Sequence, residues 1–145
     1  LVRRMAYLKS EPGLELVGTL GPEDLGDLQL KLSTDADGHG DAIDTRSANG
    51  LHLDLAGVSS RTEFPIAWRT RGQTATSNSS AESDVASLSH GVRHVSMPVQ
   101  RMLREMIGFR VHVVCKVDST QAIAAAEQGY PKRLRCLNRT HRIAT

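Results

Sequence analysis

Leucine stands at every second position of residues 28–32 and again of residues 51–55, with Gln29, Lys31, His52 and Asp54 in between. A period of two puts the leucines of each run on one side of an extended chain, so each run reads as a strand with one buried and one wetted face. That pattern then gives way to another. Val85, Leu88, Val92, Val95, Val99, Leu103 and Ile107 recur at steps of three and four, which makes one continuous stripe along a helix. A chain that carries both periods must pack helices on a sheet, which restricts it to an α/β architecture.

The remaining elements follow from shorter signals. "LVRRMAYLKSEP" reads as a short helix ended by Pro12 and Gly13, and residues 14–20 as a strand before a loop at Gly21 and Pro22. "FPIAWRT" gives a third core strand, and the three form an antiparallel meander. Pro98 should kink the long helix, because it lacks a backbone donor and crowds the preceding turn. Val111–Val117 reads as a buried strand, and "STQAIAAAEQG" as a short helix capped by Ser119 or Thr120 and stopped by Gly129. The basic remainder is open between strand and helix. In the order β-β-β-α-β-α, a helical crossover to a parallel neighbour gathers strand ends at one edge of the sheet. Asp35 and Asp118 stand at two such ends.

With 145 residues the chain has room for one ordinary domain. Its net charge of +2 hides an asymmetry: residues 11–63 hold eleven acids against three bases, whereas residues 129–145 hold five bases and no acid. A polyanionic partner that also needs cations suits such a split, and so does a solvated basic tail. No apolar run approaches the roughly 20 residues of a membrane span, and no signal segment is present. Cys115 and Cys136 lack the spacing of a zinc site, so a reduced, intracellular protein is expected. One Trp, two Tyr and two Phe are too few for a single-strand binder built on base stacking. His39, His90, His94 and His141 show no ligand spacing. No glycine-rich phosphate loop follows a strand, which leaves little for a generic phosphate-binding α/β domain.

Four aspartates, Asp35, Asp37, Asp41 and Asp44, crowd into ten residues directly after the first leucine run. The segments "RRMAYLKSEPG", "LSTDADGHGDAIDTRSANG", "PIAWRTRGQTATSNSSAESDVASLS" and "CKVDSTQAIAAA" resemble, in order and spacing, four segments near the end of copia-type retrotransposon polyproteins. There the patterns are similar to "RYLKGTPG", "YSDADWAGD..DRRSTSG", "ISWSSKKQ..VALSSTEAEYVALS" and "CDNQSAIALA". The resemblance spans almost the whole chain. It implies a ribonuclease H-like domain at residues 17–145, a mixed five-stranded sheet with packed helices, preceded at residues 1–16 by the end of a reverse transcriptase. It further implies cleavage of the RNA strand of an RNA–DNA hybrid, with two Mg²⁺ or Mn²⁺ ions as cofactors and the rest of the Pol polyprotein as partner. Hard divalent cations prefer oxygen ligands, which is the chemistry that clustered carboxylates serve.

Carried over residue by residue, "STDAD" matches the family's first catalytic aspartate at Asp35, and "VDSTQAI" its second at Asp118. An acid at 118 also suits a helix cap. The third position departs from the family: where the pattern has a metal-binding Glu, this chain has Asp84, and Glu82 aligns with the acid before it. At about 100° per residue, the Val85, Leu88 and Val92 stripe lies nearer Asp84 than Glu82 by roughly 40°, so Asp84 is the expected ligand and Glu82 its substitute. Arg69, Arg71, Ser79 and Ser80 are expected to contact nucleic acid, with Arg101 and Arg104 farther along the helix. A family segment resembling "LADIFTK" carries a further metal-binding Asp, and the expectation is a domain incomplete at its C-terminus and therefore weak or inactive in cleavage. The alternative function is a catalytically inactive scaffold of the same fold that only positions nucleic acid.

Overall fold

In a computed structural model, residues 6, 9–10, 12–13, 15–37, 47–74, 76–77 and 79–128 are described. Three long strands follow one another: β1 (Leu28–Asp37), β2 (Ala48–Gly57) and β3 (Thr62–Gly72). The chain then forms α1 (Ser80–Gly91), a π-helical turn (Val92–Ser96), α2 (Met97–Ile107), β4 (His112–Lys116) and α3 (Thr120–Gln128). The sheet order is β3-β2-β1-β4, with β1 antiparallel to β2, β2 antiparallel to β3, and β4 parallel to β1. The architecture is therefore mixed α/β with a four-stranded mixed sheet among the described residues.

The alternating leucines do what their period dictates. Leu28, Leu30 and Leu32 of β1 face the same side as Leu53 and Leu55 of β2, and all five are buried. Leu88, Val92, Val95, Val99, Leu103 and Ile107 of the long helical stretch cover them, joined by Val111 and Val113. Burying such a side chain contributes on the order of 1.5–3 kcal/mol, so this layer is the main source of stability. Val85 belongs to a second cluster, where it packs with Ala86 against Ala125 of α3.

Gly91 sets how closely helix and sheet approach. A Cβ there would lie 3.0 Å from Cγ2 of Thr34 and 3.1 Å from Cδ2 of Leu32, so the end of α1 rests directly on β1. Just beyond it the ladder widens into the π-helical turn, where the N–H of Met97 reaches back five residues to the carbonyl of Val92. Pro98 has no N–H to give the His94 carbonyl, and its ring crowds the turn before it. The expected kink is thus realised as a wider turn. The hydroxyl of Ser96 also donates to the Val92 carbonyl at 3.2 Å.

Three sequence expectations differ from what is seen. Residues 15–20 form no strand; they run beside the edge of β3 with a single backbone bond, Thr19 N–H to the Glu63 carbonyl at 3.2 Å, and Leu16 and Val17 are exposed. Four strands rather than five are present among the described residues. Finally, β4 is mostly exposed rather than buried, because it is the last strand of the described sheet and only one of its faces meets the core. At the N-terminus, Ala6, Lys9 and Ser10 are helical, as their pattern requires. Residues 129–145, with Cys136, His141 and the basic cluster, lie outside the described residues, as do His39, Asp41 and Asp44.

Candidate carboxylate site

The parallel ladder between β1 and β4 ends where Ser33 is level with Lys116; Asp35 follows two residues on in β1, and Asp118 two residues on in the bend that leaves β4. Asp118 does not cap α3. Ser119 takes that role, its hydroxyl accepting from the N–H of Ala122 at 3.3 Å and its carbonyl from that of Ile123 at 3.0 Å. The Asp118 side chain is exposed and sits just outside the cap.

The third acid arrives from α1. Ser79 caps this helix by accepting from the N–H of Glu82 at 3.2 Å, and Ser87 donates to the Asp35 carbonyl at 3.0 Å. The helix thereby lies across the end of β1, and Asp84 comes to rest among both strand ends. Only 9% of Asp84 is exposed. Burial holds its carboxyl above the ordinary carboxylate range; the Ser119 side chain, hydrogen-bonded to it, pulls the other way; the charges of Asp118 and then Asp35 raise it further; and the Ala36 N–H lowers it. Asp84 is thus within electrostatic reach of both other acids, while Asp35, one residue on from the core-facing Thr34, alternates to the opposite face of β1.

A buried network fixes where α1 begins. Gln73, at the end of β3, donates from Nε2 to Oδ1 of Asn49 at 2.6 Å and to the Ser83 carbonyl at 3.0 Å, while its N–H reaches the Ser47 carbonyl at 2.8 Å. Ser77 donates to its Oε1 at 2.8 Å. The polar run after β3 is thus partly internal scaffold, a role that its composition does not announce. Glu82 is also buried, 1% exposed, and engaged in an interaction.

Beside this site lies a cavity of about 480 Å³ lined by Arg69, Arg71, Arg93, His90 and His94, together with Asn49 and Gln73. None of the described residues lining it is acidic. Arg69 and Arg71 face it because they pair with Leu51 and Asn49, which are on the core side of β2. Ser79 and Ser80 are not among its lining residues. The rings of His90 and His94 stack at 4.8 Å between centroids. Burial, with His94, Arg69 and Arg71 adding to it, lowers the pKa of His90. This pair escaped the sequence reading, although a spacing of four on a helix puts two side chains on one face. On the other side of the sheet, Asp35 borders a shallow hollow with His52, Trp68 and Thr70.

Among the described residues, no three His, Cys, Asp or Glu side chains are already gathered as a ligand set for a metal ion. The donor chemistry nevertheless suits a hard divalent cation, since Asp35, Asp84 and Asp118 offer carboxylate oxygens alone. Comparison with protein-family models, characterised proteins and solved structures returned no match. No helix among the described residues is long and apolar enough to cross a membrane.

Proposed function

We propose that the protein is a ribonuclease H-like nuclease of copia-type retrotransposon origin, which cleaves the RNA strand of an RNA–DNA hybrid with divalent cations. The observation that carries this reading is Asp84, buried at the start of α1, hydrogen-bonded to Ser119 and to the Ala36 N–H and under the charges of Asp118 and Asp35. The antiparallel meander with a parallel fourth strand supports the fold that the four sequence motifs imply. Two Mg²⁺ or Mn²⁺ ions would activate the attacking water and stabilise the leaving oxygen.

The chain's own residues do the rest. Asp35, Asp84 and Asp118 supply oxygen ligands, and Ser119 and the Ala36 N–H hold Asp84 in place. Arg69, Arg71 and Arg93 line a cavity able to receive backbone phosphate next to the cut. Incubation with an end-labelled hybrid should give RNA-strand products in Mn²⁺ and none in EDTA or with Asp35→Asn. Failure of the unaltered chain to cut in either metal would overturn the nuclease reading. A second reading, an inactive scaffold that binds the hybrid without cutting it, is favoured by Asp84, whose side chain is one methylene shorter than the glutamate of the family pattern. Metal-independent hybrid binding without cleavage is its signature.

A further inference from the structure

The outward face of α2 is unlike the rest of the surface. Met97, Met102 and Met106 are 55%, 51% and 70% exposed, and Phe109 just beyond the helix is 42% exposed. Met97, Met102 and Pro98 line an open groove of about 830 Å³, and Arg93, Arg101, Arg104 and Arg110 are in its wall. Among the described residues, Glu105 is the one acid lining it. The opposite face of α2, through Val99, Leu103 and Ile107, is already committed to the core. The outward residues therefore contribute nothing to folding that would explain them.

We propose that this groove docks an acidic polypeptide segment carrying apolar anchors. Exposed methionine, phenylalanine and arginine with few acids or lysines is the composition of a protein–protein interface core. Flexible thioethers mould to an aliphatic side chain, and the planar guanidinium pairs with a carboxylate in a fork. Charge complementarity names the partner's sign, because four arginines against one glutamate leave the groove strongly positive. A nucleic-acid backbone would satisfy the arginines but offers nothing apolar to cover the methionines. A second copy of this chain presented through its own α2 would oppose arginine to arginine.

The test uses a short fluorescein-labelled peptide with leucines at helical spacing and glutamates elsewhere, followed by anisotropy against the full chain. Saturable binding is expected, weakened at least about tenfold by Arg101→Glu/Arg104→Glu and likewise by Met97→Ser/Met102→Ser. A peptide with lysine in place of glutamate, or serine in place of leucine, should not bind. The thermal midpoints of both double variants should match the parent, since all four side chains are exposed. Equal binding of either control peptide, or none of the acidic one, would overturn the proposal. So would displacement of the acidic peptide by an RNA–DNA hybrid, or self-association of the chain alone in sedimentation. Mn²⁺ responses at the carboxylates should be untouched by the α2 variants, so the outcome is separable from that of the nuclease reading.

Discussion

Asp84 illustrates a site that works against the fold that holds it. A carboxylate that is 9% exposed and feels the charges of two further acids is costly to ionise when no cation is present. Asp84→Asn keeps the shape and removes the charge. It should stabilise the metal-free protein at neutral pH by about 0.5–2 kcal/mol, the usual range for relieving an unfavourable charge, while abolishing any Mn²⁺-dependent rise in thermal midpoint. Urea denaturation with and without Mn²⁺ measures both. A destabilised Asp84→Asn that still responds to Mn²⁺ would contradict the assignment.

His90 gives the second residue-scale expectation, in the basic cavity. Its Nε2 is buried with no hydrogen-bond partner among the described residues, and its pKa lies below the ordinary 6.5. The unfolded chain therefore takes up a proton near pH 6.5 that the folded His90 refuses. Stability should fall as pH drops below about 6.5 and level off once the folded pKa is passed. His90→Gln should flatten that part of the profile. Identical profiles for variant and parent across this acidic limb would contradict it.

At the scale of elements, α1 is the part whose position decides the site. It is fastened by Gly91 against β1, by Ser87 to the Asp35 carbonyl and by the Gln73 network at its start. Gly91→Val would force branched carbons against Leu32 and Thr34, an overpacking that costs about 1–3 kcal/mol. It should also tilt the helix away from β1 and weaken the Mn²⁺ response more than its stability loss alone would. A thermal midpoint equal to the parent's would show that the close approach is not a constraint.

Periodicity made β1, β2 and the apolar face of the helical stretch from Leu88 to Ile107 legible in advance, because each repeat reports one face against one core. Asp35, Asp84 and Asp118 were legible as candidates for a different reason, namely motif spacing combined with strand ends. What stayed hidden depends on partners distant in sequence. Gln73 is an internal tie only because Asn49 and Ser83 happen to meet there. The widened turn before Pro98 depends on how the backbone redistributes one missing donor. Residues 15–20 alternate too briefly to show that they would lie alone beside β3.

For the whole molecule, the described structure has three chemically distinct regions arranged around one leucine-rich core. Acids stand at the ends of β1 and β4 and at the start of α1, arginines and histidines line the cavity between β3 and α1, and methionines with arginines cover the outside of α2. Everything proposed about catalysis depends on the three carboxylates acting as one cation site. The most direct measurement is a Mn²⁺ titration of the thermal midpoint in the parent and in Asp118→Asn, whose altered side chain is exposed and outside the core. A ligand that binds only the folded state raises the midpoint by mass action, so the parent should rise by several degrees and Asp118→Asn should not rise at all. The same rise in both proteins would contradict a shared centre at Asp35, Asp84 and Asp118.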